Sequence, residues 1–64
     1  MKLKNEEISK SIGKKIKKIR ISKGLTQEAL AESIEISTDL LRNIENSRNI
    51  GSVPTILNLC NALD

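Results

Sequence analysis

The sequence predicts an all-α protein, four short helices packed as one domain over residues 1–64. Three observations carry that expectation. Apolar residues recur at three- and four-residue spacing in four separate stretches, which is the period of a helix with one buried side. Each stretch is preceded by a residue that caps helix N-termini, namely Asn5, Thr26, Ser37 and Ser52. The chain is also too short for a second domain, and a domain of this size buries only roughly 60% of its unfolded surface, so its packing must be economical.

The first helix is expected over about residues 6–23. Glu6 and Glu7 suit the positive end of its dipole, and Lys23 and Gly24 suit its end. Ile8, Ile12, Ile16 and Ile19 form its buried stripe, with Lys10, Lys14, Lys17 and Lys18 opposite and Arg20 at the stripe's edge. The second helix follows Thr26 over about 27–34, with Ala29, Leu30, Ala31 and Ile34 at helical spacing and the two alanines small enough to admit a close neighbour. Ser37 then opens a third helix over about 38–46. At 100° per residue, Leu40, Leu41 and Ile44 share one arc, while Thr38, Asp39, Arg42, Asn43 and Asn46 share the other. The fourth, over about 53–62, is capped by Ser52, tolerates Pro54 in its first turn, and carries the stripe Val53, Ile56, Cys60, Leu63. The expected core is Ile12, Ile16, Ile19, Leu25, Leu30, Ile34, Leu41, Ile44, Ile56, Leu59, Cys60 and Leu63.

The second and third helices, joined by a tight turn, make a helix-turn-helix unit over about 26–46. Such a unit lays its second helix in the major groove with N-terminal residues on base edges, and Arg and Asn have the bidentate geometry those edges require. A solvated polar face would have the same pattern. Arg42 suits guanine O6/N7 or a phosphate. Asp39 has two readings, acceptance from a cytosine N4 amino group, or complementing the helix dipole while pairing locally with Arg42 or Asn43.

From Ile12 to Leu63 the chain resembles the lambda-repressor/Cro family of helix-turn-helix regulators, without a gap. The specific parts are Gly-Leu-Thr-Gln at 24–27, Leu30-Ala31, Ile36-Ser37 and Ile44-Glu45-Asn46. The resemblance implies a compact lambda-repressor-like DNA-binding domain of four helices, with a fifth commonly following the final Ala-Leu. Gln27 matches the family glutamine that bridges phosphate backbone and recognition helix, with Thr26 capping and touching phosphate beside it. Thr38, Asp39, Arg42 and Asn43 match the base-reading positions, and Ser37 opens that helix. Asn46 and Arg48 match a loop that contacts phosphate. Arg20 and Glu45 match a structural ion pair joining the first helix to the recognition helix.

The chain departs from the pattern at four places. Glu35 stands where the inter-helix turn often has Gly, so a positive φ there would carry a steric cost. Ser47 replaces the usual Gly after the Glu-Asn pair, and Gly51 replaces the usual loop proline, which unsettles how this loop presents its amides. The sequence stops at Asp64, where a fifth helix and its dimer surface would follow.

Composition narrows the function classes. Phe, Tyr and Trp are absent, which removes the stacking platforms of single-strand and RNA modules and favours duplex DNA. Histidine is also absent, and there is no Gly-rich phosphate loop, metal-ligand cluster or convincing pair of acids, so neither catalysis nor a cofactor nor a metal is expected. One cysteine permits no internal disulfide, and Cys60 is expected in the core, with a redox or interchain role as the alternative. No apolar run reaches the about 18 residues of a membrane span, and no secretory signal opens the chain, so a cytoplasmic location is expected. Charge is divided, with nine Lys or Arg against two Glu in residues 1–24, and two Arg against six acids in residues 25–64. The basic footprint therefore lies on the first helix, either as a solvated face or as a flank that adds sequence-independent affinity for DNA.

The expected function is a sequence-specific duplex-DNA-binding transcriptional regulator, a repressor of Cro-like size on an operator. One short helix makes few contacts, so a homodimer on two half-sites is expected, with Ile21 and Leu57 as candidate contacts. Two alternatives stand beside it. The fold could serve an antitoxin or other protein-interaction module, or form the DNA-binding head of a larger ligand-sensing regulator.

Overall fold

The structure is a computed structural model that describes residues 5–49 and 51–64, with side chains in the first helix described from Lys10. It contains α1 (Asn5–Ser22), α2 (Gln27–Ser33), α3 (Thr38–Glu45) and α4 (Val53–Leu63), and no strand among the described residues. These bounds fall within one residue of the expected ones. The Asn5 cap and the place of Ile8 in the stripe lie outside the described side chains.

The N-termini of α2, α3 and α4 are closed alike. Thr26 accepts from Ala29 N at 3.0 Å, Ser37 from Leu40 N at 3.0 Å, and Ser52 from Thr55 N at 3.3 Å. Each hydroxyl satisfies one amide that the helix leaves unpaired. Three C-termini also share one device. After α1, Leu25 N donates to Arg20 O and Gly24 N to Ile21 O; after α2, Ile36 N to Ala31 O and Glu35 N to Glu32 O; after α3, Arg48 N to Asn43 O and Ser47 N to Ile44 O. This is the Schellman pattern, which turns the chain through a left-handed residue. Those residues are Gly24 at φ 71°, Glu35 at φ 59° and Ser47 at φ 65°. Only the first is glycine, so α3 is bracketed by two turns in a conformation that costs an L side chain about 1–2 kcal/mol.

Ile16, Leu30, Ala31, Leu41, Ile44, Leu59 and Leu63 form the buried core, with Ile12, Ile19, Leu25, Ile34, Ile36, Leu40 and Ile56 half-buried around it. Leu30, Leu41, Ile44 and Leu59 are fully enclosed. The core is aliphatic throughout, as expected of a chain without aromatic residues.

Three expectations about packing fail. Cys60 is exposed rather than buried. Helix α4 turns Ile56, Leu59 and Leu63 inward, and Cys60, one step of about 100° beyond Leu59, falls at the rim of a groove against α1. Val53 sits on the expected stripe but is 73% exposed, because the first turn of α4 begins short of the core. Ala29 faces solvent, and Ala31 alone of the two alanines meets a neighbouring helix.

Close approach is supplied instead by Gly13 in the middle of α1. A Cβ built there would stand 2.9 Å from Glu45 O and closer still to Ile44 O. Backbone of α1 thus lies directly on the C-terminal turn of α3, and no larger residue fits between them.

Candidate nucleic-acid interface

The orientation of α3 is set by one carboxylate. Glu45, whose side chain is fully buried, receives Arg20 Nε on Oε2 at 2.7 Å and Arg20 Nη2 on Oε1 at 3.1 Å. The third guanidinium nitrogen, Nη1, donates to Leu25 O at 2.8 Å, so one arginine ties α1 to α3 and to the start of the helix-turn-helix. Such a fork of two charge-assisted bonds fixes direction as well as distance. Gln27, the first residue of α2, adds a bond from Nε2 to Glu45 Oε1 at 3.1 Å. Both helices of the unit are therefore referenced to the same acid, and no buried side-chain polar atom is left without a partner among the described residues.

With its apolar side locked by Leu41 and Ile44, α3 turns its polar arc outward. Asp39, Arg42 and Asn46 are exposed, and Thr38 and Asn43 half-buried. Arg42 Nη1 donates to Asp39 Oδ1 at 2.8 Å, so of the two local partners open to Asp39, the structure joins it to Arg42 rather than Asn43. The pair is open to solvent, with side-chain exposures of 49% for Arg42 and 85% for Asp39, and contributes only a few tenths of a kcal/mol to the helix.

The flanking candidates lie at helix ends. Thr26 and Ser37 are exposed, and each hydroxyl accepts from its helix while keeping its own proton to donate elsewhere. Asn46 is the C-cap of α3, its backbone N–H bonded to Arg42 O. Arg48 is exposed, and its N–H is committed to Asn43 O at 2.8 Å, so it offers a side chain rather than an amide. Asn49, which sequence reasoning passed over, caps its own loop by accepting from Gly51 N on Oδ1 at 2.7 Å. Lys10, Lys14, Lys17 and Lys18 are exposed on α1.

The sequence that folds this way, from within α1 to the end of α4, matches a known family profile. The profile described as "Helix-turn-helix" covers residues 16–64. The chain belongs to the lambda-repressor/Cro-type helix-turn-helix family. It is 37% identical over 59 residues to an uncharacterized HTH-type transcriptional regulator of Rickettsia conorii, covering 92% of this chain and 47% of that one. A counterpart in Rickettsia prowazekii is 36% identical over 59 residues, covering 92% and 45%. The HTH-type transcriptional regulator PrpR of Mycobacterium tuberculosis is 35% identical over 52 residues, covering 81% of this chain and 11% of that one. The chain thus spans about half the length of the rickettsial relatives. The helix-turn-helix family is one of DNA-binding regulators and not a class of enzymes. Among the described residues no helix is long and apolar enough to cross a membrane, and no cluster of His, Cys, Asp or Glu could hold a metal ion.

Proposed function

We propose that this helix-turn-helix chain is a sequence-specific regulator of transcription that inserts α3 into the major groove of duplex DNA, acting as a Cro-like repressor by occupying an operator as a dimer. The observation that carries the reading is the exposed polar arc of α3 on a helix whose other side is buried and whose direction is held by Glu45. In this reading Thr38, Asp39, Arg42 and Asn43 face base edges, while Thr26, Gln27, Ser37, Asn46 and Arg48 contact phosphates. Gln27 has a geometric reason for its position, since Nε2 spends one proton on Glu45 and keeps the other for a phosphate. The lysines of α1 add attraction without sequence. Ile21 of α1 and Leu57 of α4, 56% and 58% exposed, are the apolar side chains offered to a second copy.

The test is selection of sites from a random duplex pool near physiological salt. A palindromic motif with half-sites one helical turn apart, about 34–36 Å, is expected, altered at defined bases by Asn43→Ala. No enrichment by folded protein would move the assignment to a protein-interaction module, such as an antitoxin. A second reading, the DNA-binding head of a larger ligand-sensing regulator, is favoured by the small share of the mycobacterial relative that the match covers.

A further inference from the structure

We infer that Asp39 and Arg42 read DNA as one unit, in which Asp39 positions the Arg42 guanidinium for a guanine and offers its own second oxygen to the amino group of an adjoining cytosine. The inference rests on the DNA-binding reading above and deepens it by naming the bases and the division of labour.

The geometry supplies both halves. Asp39 Oδ1 accepts a hydrogen bond from Arg42 Nη1 at 2.8 Å. An arginine has five N–H donors, so the Nε and Nη2 edge stays free, and that edge forms the fork that matches guanine O6 and N7. Among the described residues no hydrogen bond falls on Asp39 Oδ2, and a carboxylate oxygen in the major groove finds its complement in cytosine N4.

Electrostatics explains why the acid is tolerated. A lone carboxylate at this place would face phosphates and be repelled, but the Arg42 charge beside it compensates. The pair is exposed, so its bond contributes little to folding. Its value lies in order. A long arginine left free must surrender its rotamers on binding, whereas one paired with Asp39 has surrendered part of them beforehand. An arginine without its acid would also attach to any nearby phosphate, which raises affinity without sequence.

The test repeats site selection and competition binding with wild type, Asp39→Ala, Asp39→Asn, Arg42→Ala and the double variant, each checked by circular dichroism for retained helix. The wild-type motif is expected to contain a guanine beside a cytosine, with guanine preferred about 5- to 150-fold over other bases. Asp39→Ala is expected to lose most of that guanine preference together with the cytosine preference, while its binding to random duplex tightens and becomes more salt-dependent. Asp39→Asn keeps an acceptor for Arg42 and should retain more of the guanine preference while relaxing the cytosine. The double variant should discriminate no worse than Arg42→Ala alone, as for two residues acting together. An Asp39→Ala motif with wild-type guanine preference would overturn the inference, as would an Arg42→Ala motif identical to wild type. A folded wild type that selects no motif is a separate result, and it removes the DNA-binding reading itself.

Discussion

Arg20 lies side-on against Glu45, two parallel bonds of 2.7 and 3.1 Å joining residues 25 positions apart, with side-chain exposures of 10% and 0%. Because the pair is buried, removing one member strands the other's charge. Glu45→Ala should therefore cost about 3–5 kcal/mol. A domain of this length has roughly 3–10 kcal/mol in total, so the variant should be largely unfolded or melt far lower. Arg20→Ala should be nearly as damaging, and an unchanged melting temperature for either would remove the pair from the stabilising set.

Gly13→Ala sets two effects against each other. Alanine gains about 1 kcal/mol of helix propensity over glycine in a helix interior. The added Cβ, however, meets the carbonyls of Ile44 and Glu45, backbone that can yield only by moving α3 away from α1. Overpacking of this kind costs about 1–3 kcal/mol, so net destabilisation is expected in a denaturant titration. A more stable variant would mean that the two helices slide apart at little cost.

Glu35 runs the other way. At φ 59° it occupies the left-handed position of the Schellman turn that glycine fills after α1. Glu35→Gly should stabilise the fold by about 0.5–1 kcal/mol, the relief of strain exceeding the entropy glycine adds to the unfolded chain. Glu35→Val should destabilise it, since a β-branched side chain resists positive φ. Thermal melts of the two variants should bracket the parent; the same order reversed would mean that the Glu35 side chain makes a compensating contact.

Cys60 is exposed, so a thiol reagent should label it in the native state at a rate proportional to reagent concentration and without prior unfolding. Cys60→Ser should change stability by less than about 0.5 kcal/mol. Slow labelling gated by unfolding would return Cys60 to the core.

Much of this molecule is legible residue by residue. Thr26, Ser37 and Ser52 cap helices because a hydroxyl near a helix start has an amide three residues on to satisfy, wherever the helix later packs. The apolar stripes of α1 and α3 are equally local, since a helical period assigns sides without knowledge of a partner. The family, too, is written in short runs such as Gly-Leu-Thr-Gln and Ile-Glu-Asn. Cys60 and Val53 show the limit of that reasoning. Their periodicity is right, but whether a stripe position is covered depends on where the neighbouring helices cross, and the packing of α4 against α1 and α2 encloses Leu59 and Leu63, as expected, while leaving Cys60 and Val53 in solvent.

The same limit separates the two kinds of information in the chain. Helix positions, caps and the polar arc of α3 follow from interactions within a few residues, and those are present in any conformation that lets the helices form. Gly13 gave no local signal at all, because its role exists only where the carbonyls of Ile44 and Glu45 come to rest upon it. The bond from Gln27 to Glu45 and the choice of Arg42 over Asn43 as partner of Asp39 are likewise settled by geometry. Short-range chemistry draws the helices, and packing between distant segments decides which of their surfaces are covered and which remain free to bind.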